Sequence, residues 1–127
     1  IPQAVAAELG HAAAPSAVRE LVGNRLLWLE VRAVARVDPA LKWLGRGEAE
    51  AIVLAEELRA EFSLVDDLDA RREASRRHLR FVGTLGVLEL AVRRGMVDLA
   101  ASIDQLRAIG FRISESAVQE ILRRASR

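Results

Sequence analysis

Cysteine is absent from all 127 residues. That removes disulfides, thiolate metal sites and cysteine nucleophiles together, and it suits a reducing compartment, so the expected location is cytoplasmic. Histidine is nearly as scarce, with only His11 and His78. A multi-histidine zinc site is therefore close to excluded, and both histidines are expected at the surface. Any metal here would need mostly oxygen ligands, the preference of Mg²⁺ or Mn²⁺. No apolar run approaches the ~18–20 residues that cross a bilayer. No basic segment followed by an apolar one marks a leader. The expectation is a chain with no membrane attachment.

Lysine is almost missing as well. Lys42 is the one exception among 19 basic residues, and arginine is the side chain suited to bidentate phosphate contacts. The net charge of +1 hides an asymmetry. Residues 1–70 carry seven Lys/Arg against twelve Asp/Glu, and residues 71–127 carry twelve Arg against six Asp/Glu. An acidic half beside an arginine-rich half suits a metal site next to a phosphate-binding surface. A GC-rich genome would also enrich arginine. The hydrophobic fraction of 51% and charged fraction of 29% are those of a folded chain of one domain, residues 1–127. The chain opens on Ile1-Pro2, as if in mid-fold, so a preceding N-terminal piece is expected.

The periodicity predicts a first helix after Pro2, with Val5, Leu9 and Ala6 on its apolar side and an exit at Gly10. A second short helix follows from Pro15 to Val22. Residues 27–32 have β-branched side chains and partial alternation, and predict a strand. Asp38-Pro39 caps a short turn through Leu44. The clearest helix runs from Gly47 to about Arg59, with Ala51, Ile52, Ala55 and Leu58 as its buried face. Residues 62–65 form a short strand, Asp69 caps an arginine-rich helix to His78, and residues 80–84 form another strand. Thr84 caps a helix that ends at Gly95. Two more helices follow, one from Asp98 to Ile109 and one capped by Ser114 with Val118, Ile121 and Leu122 inward. Trp28 and Trp43 are expected in the core or at an interface. Strands separated by helices imply βαβ units and a parallel sheet with helices on both faces.

In such a sheet a helix starts at the strands' carboxyl edge and the next strand returns to it. A helix of ~12 residues spans ~18 Å, and a strand of ~5 residues spans ~17 Å. Glu48, in the first turn of its helix, should therefore lie near Asp66 and Asp67, at the end of the next strand. Ligands bind at this edge in open α/β sheets. If a strand precedes Pro2, Glu8 projects into the same place. Thr84, at the next strand's end, belongs there too. Glu50 points about 200° around the helix from Glu48 and is expected to be a supporting or surface residue. Carboxylates packed this closely repel one another unless a cation neutralises them. Taken singly, each acid has a plainer reading, as a helix-end charge, a cap or a solvated residue.

Four stretches, "LGRGEAEAIVLA", "SLVDDLDARR", "FVGTLGVLELAVRRG" and "LRAIGFRISESAVQEILRRA", together resemble the PIN-domain superfamily. The resemblance is to a prokaryotic branch related to VapC-type toxin ribonucleases, and "IPQAVAAELG" is similar to the segment that carries the superfamily's second acid. It spans nearly the whole chain. It implies an α/β, Rossmann-like three-layer fold with a parallel sheet flanked by helices. It also implies Mg²⁺- or Mn²⁺-dependent cleavage of RNA. Glu8, Glu48 and Asp67 take the catalytic positions, with Asp66 as the neighbouring register for the metal. Thr84, Arg71 and Arg72 are candidates to bind substrate, and Arg71 is equally a candidate salt-bridge partner for the acids. The expected partners are an RNA substrate, an antitoxin protein that inhibits by placing a charged side chain or tail in the site, and a second copy as homodimer. The chain departs from the family pattern in lacking a first strand with its Asp. The rival expectation is a catalytically impaired PIN-like module that binds protein or nucleic acid. A weaker one is a Mg²⁺-dependent phosphotransfer domain.

Overall fold

The computed structural model describes residues 1–125 of the chain. They fall in two compact units, Ile1–Phe81 and Val82–Arg127.

The first unit is organised on its longest helix. It contains α1 (Gln3–Leu9), α2 (Ser16–Gly23), a 3₁₀ turn (Pro39–Leu41), α3 (Arg46–Leu58), β1 (Ser63–Leu64) and α4 (Leu68–Arg76). Ala49, Ile52 and Val53 recur at helical spacing on α3 and pack with Leu41, flanked by Val34, Val37, Leu44 and Leu79. Leu41 and Ile52 are wholly buried. Arg59 ends α3 in the left-handed conformation (φ 48°), and the Ala60 N–H closes back onto the Ala55 carbonyl at 2.9 Å. Asp38 accepts from the Ala40 N–H at 2.9 Å and starts the 3₁₀ turn as expected. β1 pairs with β2 (Phe81–Val82). The Ser63 N–H donates to the Arg80 carbonyl at 2.9 Å.

Several expectations need correction. Residues 27–32 form no strand. Their one ladder contact is a parallel bridge between Arg32 and Pro2. It is held by the Arg32 N–H on the Ile1 carbonyl at 2.9 Å and the Gln3 N–H on the Arg32 carbonyl at 3.1 Å. Alternation alone does not make a strand when most of the apolar side chains bury little, and Leu27, Trp28 and Val31 are all exposed. Trp43 is exposed too, so neither tryptophan is a core residue. Leu58 is half exposed because its side of α3 borders an open apolar groove of about 430 Å³, lined also by Ile1, Leu9, Leu54 and Phe62. Asp69 does not cap α4. Asp67 does, two residues earlier, accepting from the Ala70 N–H at 2.8 Å. Both aspartates precede a helical run, and the one whose carboxylate reaches the third helical N–H takes the role.

The second unit holds α5 (Thr84–Arg93), α6 (Leu99–Ala108) and α7 (Glu115–Ala125). Its core is Leu99, Ile103, Val118 and Ile121, with Leu85, Leu88, Val92 and Ile113 packed against it. Asp98 caps α6 through the Ala101 N–H at 2.8 Å, and Ser114 caps α7 through the Ala117 N–H at 3.2 Å. Leu122 is 43% exposed, unlike its neighbour Ile121, because it sits beside the α6–α7 groove rather than inside the core. Gly83 takes the N-cap position of α5, and Thr84 is its first helical residue rather than its cap. Among the described residues no helix is long and apolar enough to cross a membrane. The sheet elements in the described residues are the β1–β2 pair and the isolated Pro2–Arg32 bridge.

Candidate acidic site

Three elements of the first unit deliver carboxylates to one cavity. Glu8 comes from the second turn of α1, Glu48 from the first turn of α3, and Asp66 with Asp67 from the turn between β1 and α4. All four line a cavity of about 240 Å³, with Val5, Gly47, Ala51, Leu64 and Val65. β1 is only two residues long, shorter than the strand of ~5 residues expected. The return from the end of α3 to Asp66 and Asp67 therefore runs mostly through non-strand chain, and it still brings the aspartates to the cavity that Glu48 lines.

Two glycines make room for the acids. A Cβ on Gly47 would stand 2.7 Å from Glu8 Oε1, closer than real Cβ contacts allow. A Cβ on Gly45 would collide with the Glu48 carboxylate. Gly47→Ala is therefore expected to separate stability from site geometry. Alanine is favoured over glycine in a helix by about 0.5–1 kcal/mol, and the displaced group is only the tip of an exposed side chain. Thermal melts should show an unchanged or slightly raised midpoint, while Mn²⁺ affinity falls about tenfold, or ~1.4 kcal/mol. A variant that binds Mn²⁺ like the parent would remove Glu8 from the site.

Glu50, two residues after Glu48, is buried at 4% exposure rather than lying on the surface. Its Oε2 accepts from the Ala4 N–H at 2.9 Å, and its Oε1 from Arg46 Nε–H at 3.0 Å. The Ala4 hydrogen bond is the main reason its carboxyl stays below the usual range, against the opposing effect of burial.

Arg71 does not line the cavity but contacts two residues that do, Val65 and Asp66. Its Nε–H donates to the Val65 carbonyl at 2.8 Å, its Nη2 lies 3.4 Å from Asp66 Oδ1, and its guanidinium stacks 5.7 Å over the Phe81 ring. This is the salt-bridge alternative for Arg71. Arg72 is exposed and pairs with Asp69 at 3.3 Å. Thr84 starts α5 in the other unit. His11 and His78 are exposed.

Donor type and room both suit a hard divalent cation at this cavity: the acids are all carboxylates, and the glycines leave space for them. As placed, no three His, Asp or Glu side chains among the described residues stand close enough to hold an ion.

A family model described as a PIN domain matches residues 1–127. The chain belongs to the PIN-domain family. No curated protein and no solved structure matches it. PIN domains are commonly nucleases, so membership supports a nuclease-type function in general terms, and the mixed helix-and-strand architecture is consistent with an α/β fold.

This PIN domain also contains a charge network whose long-range part its sequence did not disclose. Arg77 donates to Glu73 at 2.6 Å, to Asp38 at 2.6 Å and to Glu56 at 3.1 Å. Glu73 takes two further bonds from Arg76, at 2.7 and 2.9 Å. Those bonds, Arg76's first and Arg77's second, hold the Glu73 carboxyl down at about 2. The i,i+3 and i,i+4 spacing of Glu73, Arg76 and Arg77 was a readable signal for the local part. The distant partners Asp38 and Glu56 had none.

Proposed function

We propose that this PIN domain is a metal-dependent ribonuclease, hydrolysing phosphodiester bonds in RNA with Mg²⁺ or Mn²⁺ as the toxin of a toxin–antitoxin pair. The observation that carries the reading is the convergence of Glu8, Glu48, Asp66 and Asp67 on one cavity. Glu8, Glu48 and Asp67 would hold the ion, with Asp66 beside them. When bound, such an ion activates water and stabilises charge at phosphorus. Glu48 sits in the first turn of α3 and lines the cavity. Arg71, anchored on Val65, and Arg72, exposed on α4, follow the aspartates on the next helix and are the cations proposed to meet a phosphate backbone. An antitoxin protein that inserts charge into the cavity, a homodimeric assembly and a cytoplasmic setting complete the reading.

The test is cleavage of labelled single-stranded RNA by the full-length protein with Mn²⁺ or Mg²⁺, with chelator, and with Glu48→Ala. Cleavage that needs the ion and falls at least ~100-fold in Glu48→Ala, or ~2.7 kcal/mol, is the expected result. Equal cleavage by both proteins would sink the metal-site reading. RNA binding without cleavage by the parent would favour the non-catalytic module instead.

A further inference from the structure

α1 begins without a cap of its own. Its N-cap residue is Pro2, which makes no side-chain capping bond. The first N–H groups of a helix need partners from elsewhere. Gln3 finds one in the Arg32 carbonyl at 3.1 Å, and Ala4 finds one in Glu50 of α3, 46 residues away, at 2.9 Å. Ala4 and Glu50 are both buried, so water cannot replace this bond. One turn further along α1, the Glu8 carboxylate lies against the Gly47 backbone of the same α3. The two helices thus meet at two points, a buried cap at one and the candidate acid at the other.

We infer that Glu50 is a positioning residue which caps α1 from α3 and thereby sets Glu8 against Glu48 across the cavity. This deepens the metal-site reading and rests on it. The two glutamates of the Gly-Glu-Ala-Glu run then have separate tasks. Glu48 lines the cavity, and Glu50, about 200° further around α3, holds the helix that brings the other acid. The task of Glu50 needs an acceptor oxygen more than a charge, because its partner at Ala4 is a neutral N–H. Arg46, its other partner, is mostly exposed and holds only the second oxygen.

That distinction gives the experiment. Glu50→Gln keeps the acceptor and the volume, Glu50→Ala removes both, and Glu48→Gln provides the ligand control. Two readouts are taken on the full-length protein. One is amide hydrogen exchange through α1, and the other is Mn²⁺ affinity by titration. In Glu50→Ala, exchange at Ala4 and along α1 should quicken at least tenfold and Mn²⁺ binding weaken about tenfold. Glu50→Gln should stay within about threefold of the parent on both. Unchanged α1 exchange in Glu50→Ala overturns the inference. So does a Glu50→Gln variant that loses Mn²⁺ as fully as Glu48→Gln, since Glu50 would then be a ligand. A parent that binds no Mn²⁺ refutes the metal reading and with it the positioning role, even if α1 exchange shows that the cap exists.

Discussion

Replacing Arg77 with alanine is expected to lower the stability of the Ile1–Phe81 unit by about 2–4 kcal/mol, measured by chemical denaturation at pH 7. Arg77 is 14% exposed and joins three segments far apart in sequence, through Asp38 before the 3₁₀ turn, Glu56 on α3 and Glu73 on α4. Removing one member of a buried pair leaves the other charge without compensation, which costs about 3–5 kcal/mol in the worst case. Here Glu73 keeps Arg76, and Asp38 and Glu56 are each more than a third exposed, so water recovers part of that loss. Arg77→Lys should recover little. A single ammonium cannot reproduce a planar fork that reaches three carboxylates.

The same network fixes the pH dependence. The Glu73 carboxyl sits at about 2 in the folded chain, below its ordinary 4.5. A depressed carboxyl contributes stability that is complete above about 4.5 and is lost as pH falls toward about 2. Asp38 is lowered as well, chiefly by its hydrogen bond from Arg77, and adds in the same direction. The gap between the parent and Arg77→Ala should therefore be widest near neutrality and narrow progressively below pH ~4. Coincident denaturation curves at pH 7 would show that the network contributes nothing measurable.

The order of the acidic residues could be read from the sequence because a helix and the return segment after it follow one another directly. Gly47 to Leu58 is helical, and the chain comes back through residues 59–67, of which only 63–64 are strand, so the expected strand of ~5 residues was too long. Glu48 and the Asp66-Asp67 pair nevertheless line one cavity, and Glu8 joins them through its place on α1. The failures share a cause of the other kind. The strand expected at residues 27–32 required a neighbour, and among the described residues it finds an isolated bridge to Pro2 and a bond from the Ile1 amine to the Glu30 carbonyl instead of a ladder. The burial of Glu50 and the Arg77 fork each depend on a contact more than 20 residues away. No local spacing encodes such a contact. Apolar periodicity correctly marked Ile52 and Ala55, yet misjudged Leu58 and Leu122, which lie on the same faces where packing gives way to open grooves.

The choice between Asp66 and Asp67 is where local reading stops and an amide substitution decides. Asp67→Asn is expected to leave the fold intact while lowering RNA cleavage by about 10²–10³-fold, or ~2.7–4 kcal/mol of transition-state stabilisation. One Asp67 oxygen is committed to the Ala70 N–H. Asparagine can make that bond and is as good an N-cap as aspartate, so α4 should not suffer. What the amide removes is the negative charge and the second anionic oxygen, which a hard cation requires. Asp66 is placed differently. Its Oδ1 lies 3.4 Å from Arg71, whose guanidinium is itself anchored on the Val65 carbonyl. Asp66→Asn should weaken that contact and lower cleavage by less than about tenfold, under ~1.4 kcal/mol. If Asp66→Asn abolishes cleavage and Asp67→Asn does not, the ligand register shifts by one residue and Asp67 is left as a cap alone. Thermal melts of both variants keep the comparison clean, because a cap lost from α4 would lower the midpoint, whereas a lost ligand would lower only cleavage and Mn²⁺ affinity.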